Sequence, residues 1–107
     1  DRGPALPPGS PGDPDEQFAC YVTALARLSA FETAIGATEA GLEYAGSLES
    51  AQPANGFQYY VRGEARARHL GDPRAHEDFQ QAYDLLKDAR GARAQDFASR
   101  SLRRLGE

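Results

Sequence analysis

The sequence has a single cysteine, Cys20, and contains neither methionine nor tryptophan. One cysteine cannot form a disulfide within the chain, so cysteine usage is compatible with either a reducing or an oxidising compartment. No apolar run approaches the roughly 20 residues that a membrane-spanning helix needs. Because the first residue is not methionine, we expect a processed product or a fragment, located in the cytoplasm or exported after removal of a signal.

The chain also lacks the residue patterns of common metal and catalytic sites. His69 and His76 do not have the spacing of two ligands on one helix, and no cysteine or third histidine accompanies them. The acidic stretch DPDEQ lacks the glycine and the distal glutamate of a calcium loop. We find no nucleophile motif, and we expect Cys20 to be buried and unreactive. The sequence therefore predicts a protein without metal, cofactor or catalytic activity.

Charge is unevenly distributed along the chain. The 12 basic and 16 acidic residues give a net charge of −4. Most of the basic residues fall in the second half, so that half is slightly positive and the first half is strongly negative. Neither half has the dense basic stripe of a nucleic-acid-binding protein. Such polarity favours a protein partner or a second copy chosen by charge complementarity, or it reflects ordinary solvated helix faces.

The first 12 residues, DRGPALPPGSPG, differ in composition from the rest. Their proline, glycine and serine content predicts a flexible tail or linker over residues 1–12, followed by one helical domain over residues 13–107. Two PxxP motifs in the tail also fit a ligand for an aromatic groove.

Capping and turn residues divide the domain into five predicted helices. Asp13-Pro14 and Asp72-Pro73 combine a capping residue with a proline that suits the first helical turn, and Asn55 is a third cap. The spacing of Ser29 and Glu32 also fits a capping box, which leaves open a new helix there. No segment shows the alternation of a strand. The helices are predicted over residues 14–35, 38–50, 55–70, 73–89 and 92–105.

A repeat relates the two halves of this domain. An apolar residue followed by glycine recurs at a constant spacing of 35, at residues 35–36, 70–71 and 105–106. In the same register Arg27 corresponds to Arg62, and Tyr44 corresponds to Phe79. The stretch HLGDPRAHEDF is therefore predicted to be the inner turn of a repeated helical hairpin.

A hairpin of this length resembles the tetratricopeptide repeat. The resemblance covers residues 20–106 and is strongest over 57–86, where it rests on Tyr59, Gly63, Ala65, the turn LGD, Ala75, Phe79 and Ala82. Three features depart from the family pattern: Arg62 and Arg66 replace apolar residues, the turn glycine is shifted by one place, and no proline follows Leu86. An unrelated five-helix bundle is the alternative.

The resemblance implies an all-α fold, a right-handed α-solenoid fragment of two hairpins and a C-terminal capping helix. In this family the first helix of each hairpin lines a concave groove, which implies a scaffold or adaptor that binds a protein or peptide. The residues placed in that groove by correspondence are Ser29, Glu32, Tyr60, Glu64, Ala67, Arg68, Gln95, Ser99 and Arg103.

Two further readings of the residues stay open. Arg62 and Arg66 lie one turn apart, which suits either an acidic peptide or ordinary surface ion pairs. The whole domain is alternatively a structural unit that forms a homo-oligomer through its open helical ends.

Overall fold

The computed structural model describes residues 14–33 and 36–106. The predicted tail over residues 1–12, its PxxP motifs and the Asp13 cap lie outside the described residues. The described part of the chain is mostly helical, which confirms the all-α class.

Within that part, five helices and one short strand pair follow one another along the chain. They are α1 (Pro14–Ala30), β1 (Glu32–Thr33), β2 (Gly36–Ala37), α2 (Glu39–Ser50), α3 (Gly56–Ala65) with a π-helical turn (Arg66–Leu70), α4 (Ala75–Leu86) and α5 (Ala92–Leu105). The predicted bounds of the fifth helix agree with the structure, and those of the second and third agree within one residue.

The predicted end of the first helix is wrong, and so is the expectation of no strand. Helix α1 ends at Ala30, and the carbonyl of Phe31 accepts a hydrogen bond of 2.9 Å from the amide of Thr38. Between these residues β1 and β2 pair antiparallel, with Glu32 opposite Ala37. Gly36 has a φ of 136°, a conformation that a helix cannot include. The capping-box alternative is also wrong, because no helix begins at Ser29.

Side-chain caps explain where α2 and α3 begin. The Thr38 hydroxyl accepts a hydrogen bond of 3.0 Å from the amide of Gly41. The Asn55 carboxamide accepts one of 2.9 Å from the amide of Gln58, which confirms the predicted cap. Asp72 caps a turn rather than α4 itself: its carboxylate accepts the amide of Arg74, and the helix starts one residue later.

Helix α3 is the centre of the packing and contacts each of the other four helices. Its Val61 is fully buried, together with Leu28, Leu48 and Phe97 from three neighbouring helices. The approach of α4 is close: a Cβ at Gly63 would lie 2.7 Å from the ring of Phe79. The small residue at this position therefore sets the distance between α3 and α4.

Two further expectations from the sequence concern Cys20 and membrane-spanning helices. Cys20 is exposed, so the prediction that it is buried is wrong; its helix turns Tyr21 and Ala24 inward instead. No helix in the described ranges is long and apolar enough to cross a membrane.

Candidate interaction groove

Helices α1, α3 and α5 line an open groove with two adjoining sections. One section of about 540 Å³ lies between α3 and α5, and the second, of about 410 Å³, extends to α1. Tyr60, Glu64 and Arg68 of α3 and its π-helical turn line both sections, as does Arg100 of α5. We call these two sections together the groove.

The base of the groove is a hydrogen-bonded network centred on Glu64. The Tyr60 hydroxyl donates to Glu64 Oε2 at 2.6 Å, and Arg104 donates to both carboxylate oxygens at 2.9 and 3.0 Å. Arg68 adds a weaker contact of 3.4 Å. Since Glu64 and Tyr60 are each only 5% exposed, this carboxylate is held in place by three donors and has little contact with water.

Arg68 connects this base to the loop after α1. Its guanidinium donates to both carboxylate oxygens of Glu32, with 2.9 Å between Nε and Oε2, and to the Ser29 hydroxyl at 3.2 Å. The early end of α1 and the strand pair that follows it place Glu32 within reach of Arg68. The network therefore spans the width of the groove from α5 to α1.

The network shifts the ionisation of its members. Burial raises the pKa of the Tyr60 phenol, and the hydrogen bond to Glu64 raises it further. The hydrogen bond from Arg68 lowers the pKa of Glu32, and the same contact raises the pKa of Arg68. Tyr60 is therefore a neutral donor and Glu32 an anion near neutral pH.

The walls of the groove differ in polarity. The α1 wall is largely apolar and includes Val22, which is 47% exposed, and Leu25. The α5 wall carries Arg100, Arg103 and Arg104 with one carboxylate, Asp96. The groove thus presents an apolar side and a basic side to anything that lies in it.

The predicted groove residues fall into two groups. The structure brings Ser29, Glu32, Tyr60, Glu64 and Arg68 into one network, and Arg103 lines the same groove. Tyr60 also belongs to the core, because its ring packs against Phe79 and Phe97.

The remaining predicted residues lie apart from this network. Gln95 donates to the backbone carbonyls of Lys87 and Ala89 and stabilises the loop before α5. Ala67 and Ser99 are exposed and line neither section of the groove.

Sequence reasoning missed the role of Arg104. This arginine is not among the predicted groove residues, but it reaches Glu64 across 40 positions of sequence and lies over the Phe79 ring. The sequence shows that Arg104 shares a helix face with Arg100, because the two are one turn apart. Nothing near Arg104 in the sequence indicates that Glu64 of α3 is its partner.

A second charged cluster lies on another face of α3. Asp78 of α4 accepts hydrogen bonds from Arg62 at 2.8 Å and from Arg66 at 2.9 Å, and Arg66 also binds Glu49 at 3.0 Å. Asp78 is 2% exposed, so these are buried ion pairs rather than a surface for an acidic peptide or ordinary surface pairs. We call this set, Arg62, Arg66, Asp78 and Glu49, the inner cluster.

The other polar candidates form no site. The described residues contain no group of three or more histidine, cysteine or acidic side chains that could hold a metal ion. His69 is buried, and in the described part of the chain neither ring nitrogen has a hydrogen-bond partner.

No family model, no curated protein and no solved structure matches this chain.

Proposed function

We propose that the protein is a non-catalytic interaction module that binds a peptide or protein segment in the groove. The observation that carries this proposal is the groove itself, since three helices contribute to it and its walls combine apolar surface with charged groups. Recognition of a peptide needs both: apolar surface contributes affinity, and positioned charges contribute specificity and association rate.

The arrangement of the helices supports a likeness to tetratricopeptide hairpins. The odd-numbered helices α1, α3 and α5 line the groove, and α4 packs behind α3 and α5. This is the division of roles that the sequence resemblance implies, with the first helix of each hairpin on the concave face. A scaffold or adaptor role follows from it as part of the proposal.

The chemistry of the groove also favours binding over catalysis. A general base needs a free lone pair near its substrate, but both oxygens of Glu64 already accept hydrogen bonds. The Tyr60 phenol is held neutral by a raised pKa and donates to that same carboxylate. These groups therefore shape the groove, and they leave its arginines to meet a ligand.

The test is selection of peptides from a random displayed library on the wild-type protein. Selected peptides are then measured by fluorescence anisotropy against Val22→Glu, which places a charge on the apolar wall. Leu42→Glu is the matched control, because Leu42 is 44% exposed on α2, away from the groove. We expect Val22→Glu to abolish binding and Leu42→Glu to preserve it; equal binding to both variants would refute the groove as the site.

A second candidate function, self-association, is favoured by two exposed leucines. Leu85 on α4 is 51% exposed and Leu102 on α5 is 53% exposed. Side chains of this kind are covered when helical hairpins stack on a further unit. Sedimentation velocity of the wild type and of Leu102→Glu tests it: a dimer that dissociates in the variant supports assembly, and a monomer in both excludes it.

A further inference from the structure

The balance of charge in the groove indicates the chemistry of its ligand. Four arginines line it, Arg68, Arg100, Arg103 and Arg104, against the carboxylates of Glu64 and Asp96 together with Glu32 beside them. The described residues of the groove therefore carry one positive charge in excess, although the chain as a whole carries −4. Because the groove is positive and the molecule as a whole is negative, an anionic ligand is attracted to the groove and repelled by the rest of the surface.

Arg103 is the groove arginine whose positive charge is most accessible to a ligand. It is exposed, and among the described residues it has neither an ion pair nor a side-chain hydrogen bond. Within the described part of the chain, its neighbour Arg100 forms an ion pair only with Asp96 of its own helix, at 3.1 Å, where both side chains are well exposed. Exposed pairs of this kind contribute little energy, so Arg100 can exchange Asp96 for a carboxylate of a ligand.

The opposite wall sets the second requirement. Val22 and Leu25 follow the groove on α1 with Phe18 and Ala26, at the spacing of one helical face. A ligand that lies between the two walls buries apolar side chains on this side and presents carboxylates to the other. A segment with that division is an acidic amphipathic helical peptide.

The same groove is poorly suited to a nucleic acid. Single strands bind by stacking bases on exposed aromatic rings. Three aromatic residues line the described part of the groove, and none is well exposed: Tyr60 is 5% exposed and Phe97 is 1% exposed. The ring of Phe18 is partly buried against Phe57 and Phe97, and the guanidinium of Arg93 lies 4.4 Å from its centroid.

We propose, on the basis of the proposed function above, that the groove binds acidic amphipathic peptides, with the apolar side chains on α1 and the carboxylates on Arg100 and Arg103. The specificity is for acidic residues about one helical turn apart, because these two arginines are themselves separated by one turn of α5.

The direct test uses three fluorescein-labelled peptides of about four helical turns. The first carries leucine on one face and glutamate on the other, the second replaces each glutamate by lysine, and the third replaces each leucine by serine. We expect the wild type to bind the first peptide at least about tenfold more tightly than either other peptide. Equal binding of the lysine peptide, or binding of a labelled oligothymidylate in preference to all three, would overturn the proposal.

Paired variants locate the site. Arg103→Glu is expected to weaken the first peptide about tenfold or more, whereas Arg90→Glu, the same charge change on an exposed residue outside the groove, is expected to change affinity by less than about twofold. Circular dichroism confirms that both variants are folded. Equal weakening by both variants would show an unspecific charge effect and refute the assignment.

The library selection separates this inference from the function on which it rests. Peptides that need Val22 but show no enrichment of aspartate or glutamate would leave the proposed function standing and overturn the charge specificity. Failure of any selected peptide to depend on Val22 would overturn both.

Discussion

Helix α3 carries two charged networks that use the same types of residue and differ in access to water. In the inner cluster the arginine side chains are 16% and 9% exposed around an aspartate that is 2% exposed. In the groove the arginines that bind Glu64 are 28% and 23% exposed. Both carboxylates are buried, so the difference lies on the side of the cations.

That difference separates a structural network from a surface that can bind. Arginines with little contact with water depend on Asp78 and Glu49 for their charge balance, and removal of Asp78 leaves that charge largely buried. Arginines at the groove keep part of their hydration, so they can lose or exchange a partner at lower cost. Along α3 and its π-helical turn each network has two members one helical turn apart, Arg62 with Arg66 and Glu64 with Arg68. The sequence spacing is therefore the same, and only the tertiary contacts distinguish the two networks.

The comparison predicts its largest effect at Asp78. We expect Asp78→Asn to lower the free energy of unfolding by about 3 to 5 kcal/mol, because Arg62 loses its buried anion and Arg66 keeps only the more exposed carboxylates, Glu49 above all. Urea denaturation followed by circular dichroism measures the loss. A loss below about 1 kcal/mol would place the inner cluster in the range of surface ion pairs and break the comparison.

Gly63 tests the close packing of α3 against α4, the two helices that carry Arg62 and Asp78 of the inner cluster. A Cβ there would meet the Phe79 ring at 2.7 Å, so we expect Gly63→Ala to destabilise the protein by about 1 to 3 kcal/mol. Gly46→Ala in α2 is the matched control, since the described structure offers that Cβ no neighbour within 4 Å. The control should gain up to about 1 kcal/mol in a urea melt, and a gain in both variants would contradict the assigned contact.

Glu64→Gln makes the corresponding isosteric change in the groove. We expect a loss of about 1 to 2 kcal/mol, smaller than for Asp78, because Arg68 keeps Glu32 and both arginines keep some water. The measurement is the same urea titration, so the two amide variants can be compared directly. Losses of equal size would mean that exposure of the cations does not separate the two networks.

The smallest predicted effect depends on pH and concerns Glu32. Its pKa is lowered in the folded protein by the hydrogen bond from Arg68. A lowered folded-state pKa gives stability that is present above the unfolded value of 4.5 and is lost as the pH falls through the folded value. The free energy of unfolding of the wild type should therefore exceed that of Glu32→Gln by under about 1 kcal/mol at neutral pH, and this difference should vanish in acid. A difference that persists in acid would show that the pair does not involve the carboxylate charge.

Local signals predicted much of the fold. Asn55 marked the start of α3, and Gly91 with Gly106 bracketed α5, because caps and helix ends depend on a few neighbouring residues. The end of α1 depends instead on the bond between Thr38 and Phe31 and on a short strand pair. Helical periodicity continues through that region of the sequence and gives no indication of either.

The site was predictable to the same degree. Tyr60, Glu64 and Arg68 follow one face of a helix, so their spacing alone placed them together. The partners that decide their role, Arg104 and Glu32, come from 40 and 36 positions away in the sequence. The inner cluster was misread for the same reason, since Asp78 reaches Arg62 only after α3 and α4 have packed.

The π-helical turn from Arg66 to Leu70 makes the groove sensitive to insertion or deletion of a residue in this segment. Its closing bond runs from the amide of Gly71 to the carbonyl of Arg66, one residue farther than in an α-helix. The turn therefore holds one residue more than an α-helical turn. Loss of Ala67, which precedes Arg68, is expected to return the segment to α-helical register and to turn Arg68 away from Glu32. The length of this one turn therefore determines whether the guanidinium of Arg68 reaches Glu32 across the groove.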